Sequence, residues 1–119
     1  MQTETQHALD NIKQSIELLK RHLNLEEAQT RILKIEETSS AVGFWNDQKN
    51  AQNLMREKTT LENKIQSIND LENGLNDQLE MLQLANDEQD QELISEIEKA
   101  IKNLSVVAGK KQIETLLSC

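Results

Sequence analysis

The chain has 119 residues, with 36% apolar, 29% charged and two aromatic side chains, Phe44 and Trp45. It has no proline, three glycines and a net charge of −8. These figures exclude a broad aromatic core, a transmembrane run and a disulfide framework, and they fit one domain built of helix.

The charge is uneven. Residues 1–60 hold nine acids and eight bases, whereas residues 61–119 hold twelve acids and five bases. From Asp70 to Glu98 there are ten acids and no base. Such a surface repels phosphate, so this half is expected to face water or a basic protein. Contact with rRNA is expected instead from the nearly neutral half, through Lys20, Arg21, Arg31, Lys34, Lys49, Arg56 and Lys58. The single cysteine, Cys119, can form no internal disulfide, which fits a reducing compartment. Residues 1–8 lack the basic start of a signal peptide, and no apolar run follows. A cytoplasmic location is expected, with no membrane and no DNA among the partners.

In chain order, Leu9, Ile12, Ile16, Leu19 and Leu23 step by three and four residues, which predicts a helix over about 5–23. Asn24, with Glu27 three residues on, reads as a cap for a second helix over about 25–38, with Leu25, Ala28, Ile32 and Ile35 inward. One bent helix across Asn24 is the alternative. Residues 39–46 break the pattern around Gly43, and Asn46 or Asp47 then caps a helix over about 47–85. A heptad frame through Ala51, Leu54, Lys58, Leu61, Ile65, Ile68, Glu72, Leu75, Leu79 and Leu82 lapses only at Lys58 and Glu72. Gly74 inside it marks close packing or a bend. Residues 86–90 form a turn whose carboxylates suit the start of a last helix over about 89–117, with Leu93, Ile97, Ile101, Leu104 and Ala108 inward. Gly109, Lys110 and Lys111 are expected to weaken that helix. The fold class is therefore all-α: an elongated antiparallel bundle of three to four helices around a long coiled-coil-like hairpin, one end of which the first two helices cover.

Few residues could carry chemistry. His7 and His22 stand fifteen residues apart, and His22 with Glu26 falls short of the three or four ligands a metal site needs. The pairs Glu26-Glu27, Glu36-Glu37 and Asp87-Glu88 read as solvated helix and turn charges, because acid–base work needs a pocket that shifts a pKa. No Gly-rich phosphate loop and no aromatic-interleaved basic patch is present, and Lys20-Arg21-His22 is too small to be one. No catalytic, cofactor-binding or metal residue is assigned, and no enzyme activity or cofactor is expected. The aromatic pair has two readings. It is either a hydrophobic staple, with Trp45 at least partly buried against the start of the long helix, or an exposed anchor for a partner.

Phe44-Trp45-Asn46-Asp47, followed by Ala51-Gln52, Glu57 and Leu61-Glu62, resembles the Phe-Trp-Asn/Asp-Asp entry into a long helix in bacterial peptide chain release factor 2 proteins. Gly74-Leu75, Leu82-Gln83-Leu84-Ala85 and the acidic turn are similar to that family's next helix end, and Leu116-Leu117-Ser118 to the exit from its N-terminal domain. The resemblance covers about residues 9–118. The sequence departs from the family at Gln48, where proline is frequent. It also lacks the Gly-Gly-Gln and Ser-Pro-Phe tripeptides used for peptide release and stop-codon reading. The resemblance thus implies the family's N-terminal domain, cut off before the catalytic and codon-reading domains. That domain positions the factor near the stalk base and GTPase-associated centre of the large ribosomal subunit, close to where the GTPase release factor acts. The alternative is a free-standing coiled-coil scaffold or adaptor that dimerises through its seam.

Overall fold

The computed structural model describes residues 3–117. Four helices follow one another: α1 (Thr3–Leu23), α2 (Leu25–Ser39), α3 (Gln48–Asp87) and α4 (Gln91–Leu117), with a 3-10 turn at Phe44–Asn46 between α2 and α3. No strand occurs among the described residues, so the chain is all-α, as its periodicity predicts. Ser118 and Cys119, named above, lie outside the described residues.

The three joints follow from local chemistry. Asn24 alone separates α1 from α2. It adopts a left-handed conformation (φ 54°), which a short polar side chain tolerates better than most. Its Oδ1 accepts from the Glu27 N–H at 3.5 Å, and its carbonyl accepts from the Ala28 N–H at 2.9 Å. This resolves the open alternative in favour of two helices. Of the two candidates, Asp47 is the cap of α3: its Oδ1 accepts from the Asn50 N–H at 3.1 Å. The turn between α3 and α4 is a Schellman ending. The Asp90 N–H donates to the Ala85 carbonyl, the Gln89 N–H to that of Asn86, and Gln89 sits at φ 56°. Asp90 then caps α4 in turn, its Oδ1 accepting from the Leu93 N–H at 3.1 Å. Because Gln89 is left-handed, α4 begins at Gln91, not at 89. At its far end α4 runs on through Gly109, Lys110 and Lys111 to Leu117, where a weakening was expected.

The described residues divide into two units, one of residues 3–22 and 68–117 and the other of residues 23–67. The first packs α1, the second half of α3 and α4 together. Its core is Leu9, Ile12, Ile16 and Leu19 of α1, Ile68, Leu71, Leu75, Leu82 and Ala85 of α3, and Ile97, Ile101 and Ala108 of α4. Each large aliphatic side chain buried there contributes on the order of 1.5–3 kcal/mol. Thr5 bonds Glu98 and Ser15 bonds Gln112, so α1 runs parallel to α4 along its length. The expectation that α1 covers one end of the hairpin is therefore corrected. A stripe from Leu9 to Leu19 is long enough to fill a lengthwise groove, and burying all of it is the more favourable arrangement.

The heptad frame on α3 also needs correction in this unit. Ile68, Leu75 and Leu82 are buried as predicted, but their companions are Leu71 and Ala85, with Glu72 and Leu79 only half-buried. A strict heptad presumes one partner helix. Here α3 meets two, so its covered stripe is wider and shifted. Gly74 marks close packing without a bend: a β-carbon there would lie 3.5 Å from both Leu104 methyls, an ordinary contact.

The second unit is thinner. Ala28 and Ile35 of α2 and Ala51 of α3 are its buried apolar residues. Leu54, Leu61 and Ile65 of the heptad frame are half-buried. The α2 carboxyl end closes on itself, with Ser39 Oγ donating to the Glu36 carbonyl and Ser40 Oγ to that of Glu37.

Candidate interaction surface

The residues that the sequence singled out for chemistry are dispersed. His7 and His22 are exposed on α1, and the left-handed Asn24 lies between His22 and Glu26. Among the described residues no three His, Cys, Asp or Glu side chains converge as metal ligands. The pairs Glu26-Glu27, Glu36-Glu37 and Asp87-Glu88 are all exposed. No helix among the described residues is long and apolar enough to cross a membrane.

Several bases expected to meet RNA are already engaged within the protein. Lys20 Nζ lies 2.8 Å from Glu72 Oε2, and Arg21 lies 3.5 Å from Glu17 on the same helix. Both bases belong to the unit that also holds the acidic run. Arg31 donates two hydrogen bonds to Glu57, at 2.5 and 2.9 Å, across α2 and α3. The bidentate bond holds the Glu57 carboxyl below its ordinary value of 4.5, with burial opposing and charge attraction assisting. The same bond raises Arg31 further above 12.5. Lys34, Lys49, Arg56 and Lys58 remain as bases of this unit that project to water to differing degrees.

Of the ten acids from Asp70 to Glu98, two serve the fold. Glu98 is buried and accepts from Thr5 Oγ1 at 2.9 Å, and Glu72 holds Lys20. Neither pairing was foreseen. Glu72 did leave a signal, since a carboxylate at a seam position needs a base or a donor opposite it. Glu98 left none, because its partner is 93 residues away. The other eight acids are exposed.

The most distinctive surface lies between α2 and α3. Trp45 is 58% exposed and Val42 is fully exposed, whereas Phe44 is half-buried. This corrects the expectation of a buried indole. The loop turns outward at Gly43, whose φ of +83° suits glycine, and a β-carbon there would come within 3.2 Å of Asn46 Nδ2. Phe44 takes the inward place next to α2 and meets Trp45 edge to face, with ring centroids 5.2 Å apart and planes at 86°. The Phe44 N–H bonds the Ala41 carbonyl at 3.2 Å and the Asn46 N–H that of Gly43 at 3.0 Å. The indole is thus held on an ordered turn and presented to water.

Comparison with known proteins bears on what this surface belongs to. Residues 28–119 match the family described as the PCRF domain. The chain is 38% identical to peptide chain release factor 2 of Rickettsia bellii, 33% to that of Neorickettsia sennetsu and 37% to that of Paramagnetospirillum magneticum. Each match covers 99% of this chain and 32% of the relative, so the chain spans about a third of their length. No solved structure matches.

Proposed function

Because this chain belongs to the PCRF domain family, we propose that it is the helical positioning domain of a peptide chain release factor 2, acting in translation termination in the cytoplasm. The observation that carries this reading is the match along 99% of the chain to relatives bearing that name. The fold supports it. Exposed residues outnumber buried ones on every helix, and the buried polar groups Thr5, Ser15 and Glu98 bond one another or Gln112 and leave no pocket for a substrate. The domain offers surfaces for docking and is not catalytic by itself; peptide release belongs to the whole factor. The partner is the ribosome, at the stalk base and GTPase-associated centre of the large subunit, with the GTPase release factor as a neighbour. A free-standing scaffold has no comparable support.

The test is direct. The purified chain is expected to sediment with ribosomes, to be displaced by full-length release factor 2, and to release no peptide at a stop codon. Failure to sediment would remove the ribosome from the reading. Stop-dependent release above buffer would show the domain to be catalytic after all.

A further inference from the structure

Resting on that reading, we infer that the turn carrying Val42 and Trp45 is a docking anchor for a basic protein surface with an apolar pocket, and not for RNA. Three observations combine. An indole 58% exposed beside a fully exposed valine leaves apolar area in water that a partner can cover, and tryptophan is enriched among the residues that dominate binding energy. The turn is ordered before binding by its hydrogen bonds, by Gly43 and by the Phe44 ring, so little freedom is lost on docking. The charge around it has one sign. Glu36, Glu37 and Asp47 flank the turn, all exposed, and no base occurs from residue 36 to residue 48.

That last feature selects the partner. Single-stranded RNA would also stack on an indole, but its binding sites pair the aromatic with positive charge that tracks the phosphates. Here phosphate would meet three carboxylates. A protein pocket rimmed by lysine or arginine meets the same carboxylates favourably, and the attraction weakens with salt because exposed charges are screened over about 8–10 Å.

The experiment uses the full 119-residue chain and purified large ribosomal subunits. Trp45→Ala and Val42→Ser are each expected to weaken binding tenfold or more, with the circular dichroism spectrum and thermal midpoint nearly unchanged. Glu36→Lys with Glu37→Lys is expected to weaken it further. A photoreactive phenylalanine at position 42 is expected to cross-link to a ribosomal protein. Cross-linking to rRNA, or tighter binding on charge reversal, would overturn the inference in favour of a nucleic-acid face. Binding that survives both Trp45→Ala and Val42→Ser would remove the anchor while leaving the ribosome reading intact. Absence of binding by the unaltered chain would remove both.

Discussion

The two units divide the protein's physical resources unequally. Residues 3–22 and 68–117 carry fourteen acids, seven bases and thirteen of the sixteen buried apolar residues. Residues 23–67 carry seven acids, six bases, three buried apolar residues and both aromatics. The first spends its hydrophobic side chains on cohesion and its charge on solubility. The second keeps a small interior and turns its largest side chain to water. Stability and recognition therefore fall on different residues, and substitutions can separate them.

The largest effect is expected in the first unit. Ile101 is fully buried, so Ile101→Ala should lose about 2–5 kcal/mol, read from denaturant unfolding. A loss below about 1 kcal/mol would mean that this core is loosely packed and that the contrast between the units is false. Next come two gains from relieving the backbone. Gln89→Gly should stabilise by about 1 kcal/mol, since glycine adopts φ 56° without penalty. Gly74→Ala should add about 0.5–1 kcal/mol, because a methyl meets the Leu104 side chain at normal distance within a helix. Calorimetric midpoints would check both, and a lower midpoint for Gly74→Ala would mean that the helices cannot accept the methyl.

In the second unit, Trp45→Ala should cost less than about 1 kcal/mol, far below the roughly 3–5 kcal/mol of a packed aromatic. Fluorescence of the unaltered chain should show the red-shifted emission of a water-exposed indole, and blue-shifted emission would place the ring in a core. The smallest effect concerns the Arg31–Glu57 pair. Its folded carboxyl titrates below 4.5, so its contribution is present above the unfolded pKa and is lost as pH falls through the lower folded value. Arg31→Gln should therefore flatten the acid limb of the stability curve slightly while leaving neutral pH almost unchanged, because the pair is exposed. An acid limb identical in both proteins would show that the pair contributes nothing in solution.

What was legible in the sequence is what neighbours along the chain decide. The three-and-four spacing from Leu9 to Leu19 and from Ile97 to Ala108 marks the buried faces because each of those helices shows one stripe to the core. Asn24, Asp47 and Asp90 act as caps through groups only a few residues away. Periodicity failed where α3 meets two helices at once, which brought Leu71 and Ala85 inward in place of full burial at Glu72 and Leu79. Nor could spacing foresee Lys20–Glu72 or Thr5–Glu98, since each joins separate helices. The candidate surface was half legible. Two aromatics beside a glycine mark a special turn, but which ring goes inward depends on the backbone at Gly43, where the chain sends Phe44 in and Trp45 out.

The pairing of α1 with α4 also sets a timetable for synthesis. Thr5 meets Glu98 and Ser15 meets Gln112, separations of 93 and 97 residues. At a translation rate of about 5–20 residues per second, roughly 5–20 s pass between making α1 and making its partners. Throughout that interval Leu9, Ile12, Ile16 and Leu19 lack part of their covering. The α3–α4 hairpin, closed by a turn of a few residues, has no such wait. The first helix to be made is therefore the last of its unit to be fully housed, and a nascent chain stalled before α4 offers a chaperone an amphipathic helix with its apolar stripe unclaimed.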